Sequence, residues 1–93
     1  MSLNVIWTTQ FKKDYKLLQK QGLQIKKLDR TITLLANKKV LPKKYGDHQL
    51  IGNFKRFREC HIAPDWLLIY CIDDNDLVLT LIRTGSHTRI LKI

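Results

Sequence analysis

The sequence predicts an α+β domain, with a short N-terminal strand and an antiparallel helical hairpin packed on an antiparallel β-sheet meander. Three observations predict it. Apolar residues recur at helical spacing early in the chain, as in Phe11, Tyr15 and Leu18. From residue 53 onward the texture changes to aromatic and aliphatic runs broken by short polar turns. The length of 93 residues suffices for one sheet with two helices on it, so a single domain over 1–93 is expected.

Leu3 to Trp7 reads as a first strand. Thr8 or Thr9 then offers an N-cap for a helix that carries Lys12, Lys13, Lys16 and Lys20 outside its apolar face, and Gly22 supplies a stop. Ile25, Leu28, Ile32 and Leu35 are spaced three, four and three, which predicts a second helix. The turn between the helices is short enough to make them antiparallel neighbours. Residues 37–52, with Pro42, Gly46 and Gly52, read as an irregular connection. Three strands follow, over Phe54 to Ile62, Trp66 to Ile72 and Leu77 to Thr84. The middle one is apolar at nearly every position and should be central, covered on both faces.

The charge is uneven. Residues 1–58 hold fourteen bases and three acids (14 − 3 = +11), while residues 59–93 hold three bases and five acids (3 − 5 = −2). The excess favours a polyanionic partner such as RNA, DNA or an acidic protein, although a lysine-rich surface also simply aids solubility. No stretch approaches the roughly 20 apolar residues of a membrane span. The N-terminus lacks the basic and long apolar regions of a signal peptide. Cys60 and Cys71 fit neither a CxxC pair nor a zinc spacing. Buried free thiols and a cytoplasmic location are expected.

Hairpin geometry brings the chemistry together. A turn centred on Pro64 sets His61 opposite Leu67, and a turn at Asp74-Asn75 sets Arg83 opposite Trp66. His61, Asp65, Trp66 and Arg83 should then meet at one end of the sheet, with His87 emerging beside them. The same register leaves the cysteines about three residues, or roughly 10 Å, out of step, too far for a disulfide. Metal-independent RNA cleavage uses such residue types: a base for the ribose 2′-OH, an acid for the departing 5′ oxygen, and a fixed cation for the phosphorane. Trp66 could offer an aromatic face to an unstacked base. A zinc site from His48, His61, Asp65 and His87 is the alternative, without support from HxH or HxxxH spacing.

Two blocks are longer and more specific than this. Residues 47–55 read Asp-His-Gln-Leu-Ile-Gly-Asn-Phe-Lys, and residues 58–70 read Arg-Glu-Cys-His-Ile-Ala-Pro-Asp-Trp-Leu-Leu-Ile-Tyr. With Arg83-Thr84-Gly85-Ser86-His87 they resemble the YafQ branch of the RelE/ParE toxin superfamily, from end to end of the chain. The resemblance implies the RelE-like microbial RNase fold and a type II toxin–antitoxin toxin. It would be a ribosome-dependent endoribonuclease that cuts mRNA in the ribosomal A site and needs no metal or other cofactor.

The functional positions it implies are His48, His61, Asp65, Trp66, Arg83 and His87. His87 would be the general acid, and Asp65 with His61 or His48 would supply or position the base. Arg83 would hold the scissile phosphate and Trp66 would contact RNA. Lys12, Lys13 and Lys16 on the first helix, with Lys55 and Arg56, would bind mRNA or ribosomal RNA. At Leu91 this chain departs from the aromatic Phe that the family often carries at an RNA-contacting position. The resemblance also implies a DinJ/RelB-like antitoxin partner, with operator DNA bound only through that antitoxin. Two other readings stay open: a noncatalytic module acting on DNA or on a target such as gyrase, and a degenerate toxin kept as an antitoxin-bound repressor.

Overall fold

In a computed structural model the chain forms β1 (Asn4–Trp7), α1 (Thr9–Lys20), α2 (Ile25–Ala36), a 3-10 turn (Lys43–Tyr45), β2 (His48–Gln49), β3 (Arg58–Ala63), β4 (Trp66–Asp73), β5 (Val78–Gly85) and α3 (His87–Leu91). Residues 2–52 and 55–91 are described, without the Leu91 side chain. The expected RNA contact at Leu91 and the expected strand start at Phe54 lie outside the described residues.

The sheet order is β1-β5-β4-β3-β2. The expected meander is β3-β4-β5, antiparallel throughout, and β1 adds a parallel edge on β5. β4 is central and buried on both faces, as its apolar run predicts. Trp66, Leu68 and Tyr70 pack with Phe11 and Leu18 of α1 and Leu28, Ile32 and Leu35 of α2. On the other face Leu67 and Ile69 meet Ile90 of α3, with Leu50, Phe57 and Ile82 around them.

The helix ends follow their local chemistry. Thr8 is extended and its hydroxyl oxygen accepts from the Phe11 N–H, which satisfies an otherwise unpaired donor of the first turn. The same hydroxyl donates to the Leu81 carbonyl at 2.8 Å, tying the start of α1 to β5. At the far end Leu23 N–H reaches Leu18 O and Gly22 N–H reaches Gln19 O, a Schellman stop with Gly22 at φ 77°. α2 ends in the same pattern, but with Lys38 in the left-handed position at φ 58°.

Two expectations of the sheet need correction. His61 does stand opposite Leu67, but Arg83 stands opposite Ile69 and not Trp66. The β4–β5 turn is longer than expected, with Leu77 at φ 56° and Asp73 paired to Val78, and a bulge at Ile69/Tyr70 shifts the register once more. β3 begins at Arg58, four residues later than the sequence suggested, and Cys71 is half-buried where burial was expected. Both cysteines are free, and burial pushes the Cys60 thiol up to about 12, which makes it inert.

Candidate active site

Alternation along β3 turns Cys60 into the helical core and leaves Glu59 and His61 on the opposite face. Glu59 is paired with His48 of β2 on one side and with Ile69 of β4 on the other. The residue is 4% exposed. Its two carboxylate oxygens face two imidazoles: Oε2 lies 3.9 Å from His48 Nε2, and Oε1 lies 3.7 Å from His87 Nε2.

His87 opens α3, which follows β5 directly. Gly85 makes that corner possible: its φ is 151°, and a Cβ there would sit 3.1 Å from Ile90 Cγ2. Ser86 caps the short helix by accepting from the Arg89 N–H at 3.3 Å. His87 is clamped from two directions. Glu59 faces its Nε2, while Asp65, from the β3–β4 turn, lies 3.5 Å from its Nδ1 and accepts its backbone N–H at 3.4 Å.

His61 completes the group. Its ring centroid is 5.6 Å from that of His87, with the planes tilted 45°. Ligand atoms of Glu59, His61 and His87 fall within 4.8 Å of one another, so a metal ion is sterically conceivable there. They are also the side chains that proton transfer requires. His48 holds its Nδ1 2.7 Å from the Gly46 carbonyl. A carbonyl only accepts, so the proton is on Nδ1 and Nε2 faces Glu59.

His61, Asp65 and His87 are thus brought together as the strand register suggested, with His48 beside them as the resemblance implied, around a glutamate that sequence reasoning missed. Glu59 stands two residues before His61 on a strand. That spacing is the signal that could have found it.

Arg83 and Trp66 are placed differently. Trp66 is 5% exposed, and its indole N–H donates to Thr84 Oγ1 at 2.9 Å. It is a core residue and presents no stacking face, contrary to expectation. Arg83 is committed to Asp14 through Nε at 2.8 Å and Nη2 at 3.2 Å. Asp14 is fully buried and also accepts from Arg89, Gln10 and the Thr84 N–H. It too was missed, though Phe11, Asp14 and Leu18 share helical spacing. A carboxylate at an apolar-face position signals a buried partner.

Lys12, Lys13 and Lys16 are exposed along α1, and Lys55 and Arg56 are exposed before β3. A second polar network holds that region: Arg58 donates to both oxygens of Asp47, and the Tyr70 hydroxyl donates to Oδ1. Burial, and then this bond, raise the Tyr70 pKa well above the usual phenol value.

A helical pair on one face of a five-stranded sheet and a histidine–carboxylate cluster on the other define the class: the small toxins of type II toxin–antitoxin systems. A family model described as "Bacterial toxin of type II toxin-antitoxin system, YafQ" matches residues 3–92, and the chain belongs to that family. It is 40% identical over 88 residues to the mRNA interferase toxin YafQ of Escherichia coli K12, covering 94% of each chain. Its fold matches the toxin in the crystal structure of the E. coli DinJ–YafQ toxin–antitoxin complex with a TM-score of 0.88 at 38% identity, covering 97% of this chain and 98% of that one. A metal-bound toxin from Helicobacter pylori is similar, with a TM-score of 0.89 at 42% identity over 95% of this chain and 98% of that one.

Proposed function

We propose that this protein is an mRNA interferase, an endoribonuclease that cuts messenger RNA in the ribosomal A site and so arrests translation. The observation that carries the reading is the cluster itself: three imidazoles and two carboxylates converge on one sheet face of a domain with a net charge of +9.

His61 removes the proton from a ribose 2′-OH, and the oxygen attacks the adjacent phosphorus. His87 protonates the 5′ oxygen as the P–O5′ bond breaks, leaving a 2′,3′-cyclic phosphate and a free 5′-hydroxyl. Histidine suits both roles because it titrates near neutrality. Glu59 and Asp65 fix the His87 ring, and His48 stands on the other side of Glu59. Arg83 keeps N–H donors beyond the two given to Asp14 and offers them to the phosphate. No step in this scheme calls for a metal.

The partner is a neutralising antitoxin with an acidic, flexible segment suited to a basic surface, and operator DNA is bound through it. The test is to induce the protein in bacteria and map mRNA 5′ ends. In-frame cuts that disappear in His87→Ala, with the fold intact by circular dichroism, are expected. Growth arrest with intact mRNA and damaged DNA would overturn the reading. Protein treated with EDTA and then freed of the chelator should still cut mRNA on the ribosome, and a loss of cutting that added metal restores would refute the metal-free scheme.

A further inference from the structure

β2 covers β3 only at Arg58 and Glu59. Beyond that point, among the described residues, the outer side of β3 has no strand neighbour. Where a neighbour would lie there is a cleft of about 460 Å³ between α2, the 3-10 turn and the end of β3. This lies within the range of roughly 300–1,000 Å³ usual for small-molecule and cofactor sites. Its charged lining is entirely cationic: Lys27 and Arg30 from one face of α2, and Lys44 from the turn, with no carboxylate. The imidazole of His61 forms part of the same wall, beside Tyr45 and Pro64.

The absence of any carboxylate among its described lining residues and the presence of His61 set this cleft apart. A second cleft, of about 510 Å³, also holds cations outside any ion pair, Lys39, Lys55 and Arg56, but Asp47 and Asp74 line it beside their partners Arg58 and Lys38, and no histidine is among its described lining residues. Among the described residues, Lys27, Arg30 and Lys44 make no ion pair. Three exposed cations without counter-charges repel one another, a cost that an anion bound among them reverses.

We propose that this cleft is a substrate subsite that holds the single-stranded RNA flanking the scissile bond. Lys27, Arg30 and Lys44 bind its phosphates, and Tyr45 and Pro64 line the space for a ribose or base. The proposal deepens the endoribonuclease reading and rests on it. His61 is the link: it belongs both to the catalytic cluster and to the cleft, so a strand cut beside His61 continues into the cleft. An acidic protein segment would satisfy the charges equally. Continuity with the catalytic ring favours RNA.

The test is a variant with Lys27, Arg30 and Lys44 all changed to Ala, beside a control with Lys20, Lys26 and Lys39 changed to Ala. Both lose the same charge. Binding of a short, uncleavable 2′-O-methyl RNA is read by fluorescence anisotropy over a range of salt. The cleft variant should bind on the order of ten-fold more weakly, with a salt slope smaller by about 2, at ~0.7 per phosphate contact on a single strand. The control should change much less. In mRNA cleavage the cleft variant should raise KM with little change in kcat. On the wild-type protein, NMR amide shifts at Lys44 and Tyr45 should respond to the RNA, a readout that needs no substitution.

Equal losses in the two variants would overturn the proposal. So would unchanged RNA affinity accompanied by loss of polyglutamate binding, which would assign the cleft to a protein partner. Wild-type protein that cuts no mRNA, yet loses RNA affinity only in the cleft variant, would refute the enzymatic reading and leave the subsite standing.

Discussion

Asp14 and Glu59 are both buried carboxylates, and their company differs. Asp14 sits among two guanidiniums and a backbone N–H, donors that lock it in place. Glu59 sits between two imidazoles, the side-chain type best suited to passing protons. One carboxylate builds the frame, and the other holds moving parts. A buried acid is informative only once its partners are named.

Substitutions at each site should separate the two roles. Asp14→Ala leaves two arginines and the Thr84 N–H without their acceptor. It should cost roughly 3–5 kcal/mol of stability, read as a lowered urea midpoint. A stable Asp14→Ala protein would mean that the frame lies elsewhere.

His87→Ala should leave the melting temperature nearly unchanged while cleavage falls roughly 10²–10⁴-fold, the usual contribution of a positioned acid. Glu59→Gln keeps the shape of the side chain and loses its charge. It should slow cleavage on the order of 10²-fold through misplacement of His87. If it instead unfolds the domain while activity per folded molecule is retained, Glu59 belongs with Asp14.

A smaller effect is expected at Tyr15, whose hydroxyl donates to Asp29 at 2.7 Å. Burial, and then that bond, raise its pKa from about 10 to about 12. The folded state holds this proton more tightly than the unfolded chain does, so the stabilisation is complete below pH 10 and fades as the pH rises toward about 12. Tyr15→Phe should flatten that alkaline loss in denaturation curves. The smallest change expected is at Lys38, where Gly would relieve the left-handed backbone. It should gain about 0.5 kcal/mol, net of the exposed Asp74 pair, as a slightly higher melting temperature.

The sequence was most legible where interactions are local. The run from Trp66 to Ile72 announced a strand buried on both faces, and the tight turn at Pro64 set His61 against Leu67. Thr8 and Gly22 bracketed α1 as their chemistry requires. Legibility ended where geometry depends on distant chain. The parallel pairing of β1 with β5 spans most of the sequence, β2 is too short to leave a pattern, and Leu77 is not a residue from which a left-handed turn is read. That turn and the bulge moved Arg83 three positions along β4, away from Trp66 and toward Asp14. Trp66 looked like an RNA contact because it adjoins Asp65 in the β3–β4 turn, yet strand alternation aims it at the helices. Glu59 and Asp14 share one lesson: residue type alone marks neither, and only spacing does, two residues from His61 on a strand and three from Phe11 on a helix.

The bond from the Thr84 N–H to Asp14 has one more consequence. β1 stops pairing at Leu81, so the last stretch of β5 would otherwise present open ladder groups to any passing extended chain. A helix side chain fills that position, and the border of the sheet closes without another strand. A toxin stripped of its antitoxin should therefore stay dispersed along this margin instead of seeding self-association.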